Sequence, residues 1–308
     1  MIHKRVPIVL FVVLVLSLVL CPLALAQYGG RPGDVIMYLL SYKGPGGFQV
    51  VPPTTVNDAQ TSAKYRTLPL DSIVPIPSTP FPLFRQVLVD EPEELFQVGT
   101  DRETTIGIPR LVINHTKVFM LQGVLWVPTT AGRAVVARAN GFIYFTPNID
   151  LNADISLEDV KFLIFSNKGW PFIIPFEGVG PLAPPGGTGL DYLVSTPGLI
   201  RLPGFLPWNS LRVIYPGVGW PDGADWKLID DDPVMGDTAG QLRLRPGRTT
   251  PFFRIPSGTH FVVLSGTVEL RPAGGTPVVL KPRDYAYLPK NFAFSLSNPK
   301  KYDGPGAQ

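Results

Sequence analysis

The chain repeats itself. Val118-Phe-Met-Leu-Gln-Gly123-Val-Leu-Trp-Val-Pro128 aligns with Phe261-Val-Val-Leu-Ser-Gly266-Thr-Val-Glu-Leu-Arg-Pro272. In each copy an apolar run meets a glycine and a second, alternating run follows. Ala134-Val-Val136 then matches Pro277-Val-Val279, and Phe142-Ile-Tyr-Phe-Thr-Pro147 matches Tyr285-Ala-Tyr-Leu-Pro289. The copies stay in step over about thirty positions, the mark of tandem domains. The runs are short, rich in Val, Ile, Leu and aromatics, and bounded by Gly and Pro, which is strand grammar. Val35-Ile36-Met37-Tyr38-Leu39-Leu40 reads the same way. With 35 Pro in 308 residues, long helices are disfavoured. One short piece, Ser156 to Lys161, reads as helical. The expected class is all-β, with an N-terminal barrel over 27–180, a Pro/Gly-rich linker over 181–189 and a C-terminal barrel over 190–308.

Residues 1–26 stand apart. Lys4 and Arg5 precede an apolar run from Ile8 to Leu20, and Ala24-Leu25-Ala26 places small residues before Gln27. This is the pattern of a secretory signal peptide. The run is short of the ~20 residues of a membrane span. A retained membrane anchor is the alternative. The expectation is a secreted or periplasmic chain, with no membrane association after cleavage. Removal of the segment would take away Lys4 and Arg5, bringing the 27 basic residues to within one of the 24 acidic ones. Nucleic acid is therefore not an expected partner. Cys21, the single cysteine, would leave as well, so no disulfide is expected. His115 and His260 would be the remaining histidines, too few for an ordinary zinc site.

The second copy resembles the cupin superfamily of small jelly-roll barrels. That family's first motif ends in a metal-binding glutamate, an apolar stretch and a glycine; here the segment is His260-Phe-Val-Val-Leu-Ser-Gly266. Its second motif carries a proline, a turn, a metal histidine and an asparagine; here it runs Pro289-Lys-Asn291-Phe-Ala-Phe294-Ser-Leu-Ser-Asn298. Leu242-Arg-Leu-Arg-Pro-Gly247 looks like the strand and turn that lead into the barrel. The resemblance covers 226–299 well and 95–165 less well, implying two tandem cupin-type jelly-roll β-barrels, a bicupin. It also implies three histidines and a glutamate facing inward around a metal. Carried onto this chain, those positions fall on Phe253, Ile255, His260 and Phe294 in the second copy, and about Arg110, Val112, Lys117 and Asn152 in the first. Carbon side chains donate nothing to a divalent ion, and cations repel one. No cofactor is expected.

The remaining candidates follow from chemistry. His260 in an apolar barrel is the candidate acid/base or ligand-orienting group, and a structural histidine otherwise. Arg110, His115 and Lys117 would make a cationic pocket for a carboxylate, sulfate or acidic sugar if they face inward, and a solvated hairpin tip otherwise; Asn152 joins the ligand-binding candidates through its place in the resemblance. Phe253, Ile255, His260 and Phe294 would form an apolar slot with one imidazole. Asp150, Asn152, Asp154 and Glu158 resemble a calcium loop, although Ile155 stands where such a loop needs glycine. Asp230-Asp231-Asp232 reads as a solvated turn. Trp170, Trp208, Trp220 and Trp226 would make a sugar-stacking face or an interface. No G-x-S-x-G elbow and no P-loop is present. The expected function is metal-independent binding of a small organic ligand or glycan in the barrels, without catalysis. A cupin enzyme using His260 or an unconventional metal site is the alternative, and a structural homo-oligomer the third class.

Overall fold

The structure is a computed structural model. It describes residues 30–41, 49–50, 66–70, 84–91, 94–101, 110–112, 114–128, 134–147, 150–151, 155–167, 172–173, 200–201, 206–217, 219–232 and 237–299. The segments 1–26 and 181–189, and Trp170, Asn152 and Asp154, lie outside them, as do the side chains of Arg110 and Asp150. No helix of the described residues is long and apolar enough to cross a membrane.

Strands dominate, and the one described helix is the single turn Leu211–Ile214. The C-terminal barrel pairs a seven-stranded sheet with a five-stranded one. The seven run in the order Asn209–Ser210, Ala224–Asp232, Asp237–Leu244, Val35–Ser41, Thr259–Ser265, Asp284–Leu288 and Arg66–Pro69. The N-terminal barrel is built on a six-stranded sheet with two three-stranded sheets. Its centre is Thr116–Gln122, flanked by Phe142–Phe145 and Val160–Asn167. The fold class is therefore all-β, two tandem jelly rolls, with the repeated strands in equivalent places.

Sheet membership does not follow the expected division at 180 and 190. Val35–Ser41 lies in the middle of the C-terminal barrel's large sheet, between Asp237–Leu244 and Thr259–Ser265. Arg66–Pro69 and Gln49–Val50 join the same barrel, while Ile200–Arg201 pairs back onto Phe142–Phe145. The equivalent of Val35–Ser41 in the other barrel is Val160–Asn167. Both are preceded by Asp, both carry a register shift after their second residue, and both pack against the repeat glycine. Gly123 and Gly266 share φ +75°, and a Cβ there would strike the carbonyl oxygen of Asp159 and of Asp34 respectively. The last strand of the second copy is thus supplied by the front of the chain. The segment expected to be helical, Ser156 to Lys161, is strand at both ends, in Ile155–Ser156 and Val160–Asn167.

Strand alternation sorts the core into layers. Val35, Met37, Leu39, Phe261, Val263 and Ala286 fill the C-terminal barrel. Val118, Met120, Ile143, Phe162 and Ile164 fill the N-terminal one. The opposite faces of the same strands, including Ile36, Tyr38, Phe119, Leu163, Phe165 and Val262, press the two large sheets together. The strands at the junction are apolar on both faces because both faces are buried.

Candidate functional site

Phe253 and Phe294 are paired residues of neighbouring strands, and their rings meet 4.4 Å apart in the C-terminal barrel. Trp220 packs on Phe253 at 5.0 Å, Phe292 on Phe294 at 6.1 Å, and Ile255 is in the same cluster. The structure brings these three expected lining residues together, but as packed core. Phe253 is 0% exposed and Phe294 1%. The expected apolar slot is filled by its own rings.

His260 is a correction. The resemblance implies an inward position for it, yet it alternates with Phe261 and Val263, which face the barrel interior, and shares its side with Val262 and Leu264. It therefore sits between the barrels, 6.3 Å from the ring of Phe165 of the N-terminal barrel. Its Nδ1 is 2.9 Å from the hydroxyl of Tyr285, and Tyr287 packs at 5.3 Å. The inward position is one residue earlier, at Thr259, beside Ser41 and Ser257. Ser41 Oγ lies 2.5 Å from Ser257 Oγ and 3.3 Å from Thr259 Oγ1. The other barrel repeats the pair as Thr116 and Ser166, both fully buried. A shift of one residue turns a strand's whole set of side chains over.

Lys117 occupies the place equivalent to His260, and the same correction applies. Its ammonium does not face the interior of the N-terminal barrel. It reaches across to the C-terminal one, 2.7 Å from Asp237 Oδ1, 2.6 Å from Asp230 Oδ2 and 3.6 Å from Asp232 Oδ2. Tyr144, its neighbour across the strand pair, lies beneath it at 5.3 Å and also contacts Nδ1 of His115. The aspartate triplet is therefore no solvated turn: Asp230 and Asp232 are buried and only Asp231 is exposed, held by Thr238. Burial opposes the charge on Lys117, but Asp237 and Asp230 outweigh it and raise its pKa. Burial pushes the Asp237 carboxyl up to about 6 while Lys117 pulls it down. Tyr38, beside the same acids, is raised well above its ordinary value by burial first.

Two more polar links join the barrels. Gln241 Nε2 donates to Asn140 Oδ1 at 2.6 Å, and Lys161 Nζ donates to the Leu70 carbonyl at 2.9 Å. The three described tryptophans of the expected set do not share a face. Trp220 and Trp226 are core, whereas Trp208 is half-buried beneath Lys227 at 4.3 Å and Arg243 at 4.6 Å. Glu158, the one described side chain of the expected calcium set, is exposed.

A candidate dioxygenase of Nostoc punctiforme matches with a TM-score of 0.55 at 12% identity, over 77% of this chain and 79% of that one. The salicylate 1,2-dioxygenase of Pseudoaminobacter salicylatoxidans, as its adduct with gentisate, matches with a TM-score of 0.51 at 14% identity, over 77% and 78%. The likeness is one of fold: two tandem cupin-type jelly-roll barrels. A cupin 2 conserved barrel domain protein of Leptotrichia buccalis also aligns, with a TM-score of 0.47 at 10% identity over 77% and 91%. No family model and no curated protein matches the chain.

The metal that this fold family implies does not fit the residues present. Among the described residues the interiors are lined by Phe, Val, Ile and Leu, with hydroxyls at Thr259, Ser41, Thr116 and Ser166. Neutral hydroxyls and carbon are poor substitutes for imidazole and carboxylate. The stronger donors, His260 and the three aspartates Asp230, Asp232 and Asp237, are turned into the layer between the barrels.

Proposed function

We propose that this bicupin is a non-catalytic, metal-independent module of the cell exterior or periplasm, working as a rigid two-barrel body in an assembly rather than as an oxygenase. The observation that carries this reading is the Phe253–Phe294 contact, 4.4 Å between ring centroids, where the resemblance would seat inward metal ligands. The Lys117 ion pairs, the two further hydrogen bonds and the apolar layer between the sheets support rigidity, because buried ion pairs and buried hydrogen bonds are costly to break. The dioxygenase names belong to the neighbours, and the interior chemistry argues against carrying them over.

A second reading has its own observation. The inward hydroxyls Ser41, Ser257 and Thr259 form a polar spot beside an apolar core, a composition suited to orienting a small organic ligand.

The test is elemental analysis of protein produced with iron, manganese, nickel, copper and zinc supplied. The reading expects substoichiometric metal and an unchanged melting temperature after chelation. A stoichiometric ion whose removal abolishes a turnover would overturn it. A melting shift with small carboxylates or sugars that is lost in Ser257→Ala would favour the second reading, and light scattering would report whether copies assemble.

A further inference from the structure

The Lys117 cluster has the makings of a covalent bond. Its ammonium touches Asp237 and Asp230 at 2.7 and 2.6 Å, in a site where Lys117 is 2% exposed and Asp237 0%. Oδ2 of Asp237 takes no hydrogen bond from any described residue. The partners are held on strands of different barrels, so the reacting atoms stay together, the condition under which intramolecular reactions gain most. We propose that Lys117 and Asp237 condense into an amide that ties the two barrels covalently, with Asp230 carrying the proton.

The step balances without an oxidant or cofactor. A proton passes from Lys117 Nζ to Asp237, leaving an amine facing a carboxylic acid. The nitrogen lone pair attacks Cγ of Asp237. The Asp230 carboxylate takes a second proton from nitrogen and hands it to the departing hydroxyl. One N–C bond forms, one C–O bond breaks, one water leaves, and Asp230 returns to its starting state. The raised Asp237 supports the acid form, while the charge preference of Lys117 makes the neutral pair a minor population. The reaction is therefore slow and happens once per molecule. The product removes one positive and one negative charge from a buried place, where each carried a desolvation cost, and leaves Asp230 without the ammonium it now touches, a cost that also slows the reaction. In a chain whose single cysteine is Cys21, the amide is also a covalent tie that needs no thiol.

Intact mass of the folded, purified full chain, followed by tryptic mapping, tests this. The expected result is a mass one water below that of the same residues unlinked, and a branched peptide whose fragments place the junction between Lys117 and Asp237. Lys117→Arg keeps a cation in the cluster but should have full mass and no branched peptide. Asp230→Asn should slow the condensation severalfold in a time course. Full mass in the wild-type chain after prolonged incubation overturns the proposal. So does a water loss that maps to Asp222-Gly223 as a cyclic imide, or a branch through Asp230.

Discussion

Lys117 and His260 show how much one residue position can conceal. They occupy equivalent places in the two copies, each paired with a tyrosine on the next strand, Tyr144 and Tyr287. Replacing Lys117 by methionine removes the one cation that touches Asp230 and Asp237 among the described residues and leaves buried carboxylates behind. Loss of one partner of a buried pair costs about 3–5 kcal/mol, so urea unfolding of Lys117→Met should show a loss of that order. Phe294→Ala should cost a similar ~3–5 kcal/mol, because the cavity it leaves sits among rings that cannot all collapse inward. Lys227 gives a pH signature. Burial, then Arg243, lower its pKa from 10.5 to about 8. The folded chain therefore releases this proton before the unfolded chain does. The unfolded state binds more protons between about pH 8 and 10.5, and stability from this group rises with pH across that window. Lys227→Met should flatten the rise in unfolding free energy over the same range; equal slopes in the two chains would refute the assignment.

At the scale of elements, the repeated hairpin is the most legible part of the chain. Gly123 and Gly266 stand at matching places in the sequence and take the same positive φ of 75°. Gly266→Ala combines that left-handed backbone with a Cβ 2.8 Å from the Asp34 carbonyl oxygen. The loss should exceed ~1 kcal/mol, the range for alanine at such a φ, and would be read as a lowered urea midpoint. The matching strands Asp34-Val35 to Ser41 and Asp159-Val160 to Ser166 were not legible as a pair. One precedes its copy and the other follows it, so a collinear comparison never sets them side by side. The orientation of His260 and Lys117 was hidden for a different reason. Strands buried on both faces lose the polar–apolar alternation that would reveal which residues face inward.

For the whole molecule, the consequence is that neither barrel is a separable piece of chain. Val35–Ser41 supplies Val35, Met37 and Leu39 to the C-terminal core and Ile36, Tyr38 and Leu40 to the layer between barrels. A chain of residues 190–308 lacks this central strand and should fail to fold, remaining aggregated or without cooperative unfolding by circular dichroism. The chain of 27–308 should melt in one transition. A stable, monomeric 190–308 fragment would show that the strand is dispensable.

Read from residues alone, the chain disclosed its duplication, its all-β class, its glycine hairpins and the carbon side chains of Phe253, Ile255 and Phe294, because those features are local patterns or inventories of side chains. Which barrel owned the first strand, which way His260 and Lys117 pointed, and that three aspartates would gather around one ammonium from the other barrel were decided only by the packing of sheet on sheet. Those outcomes depend on partners far apart in the sequence, and no local pattern encodes them.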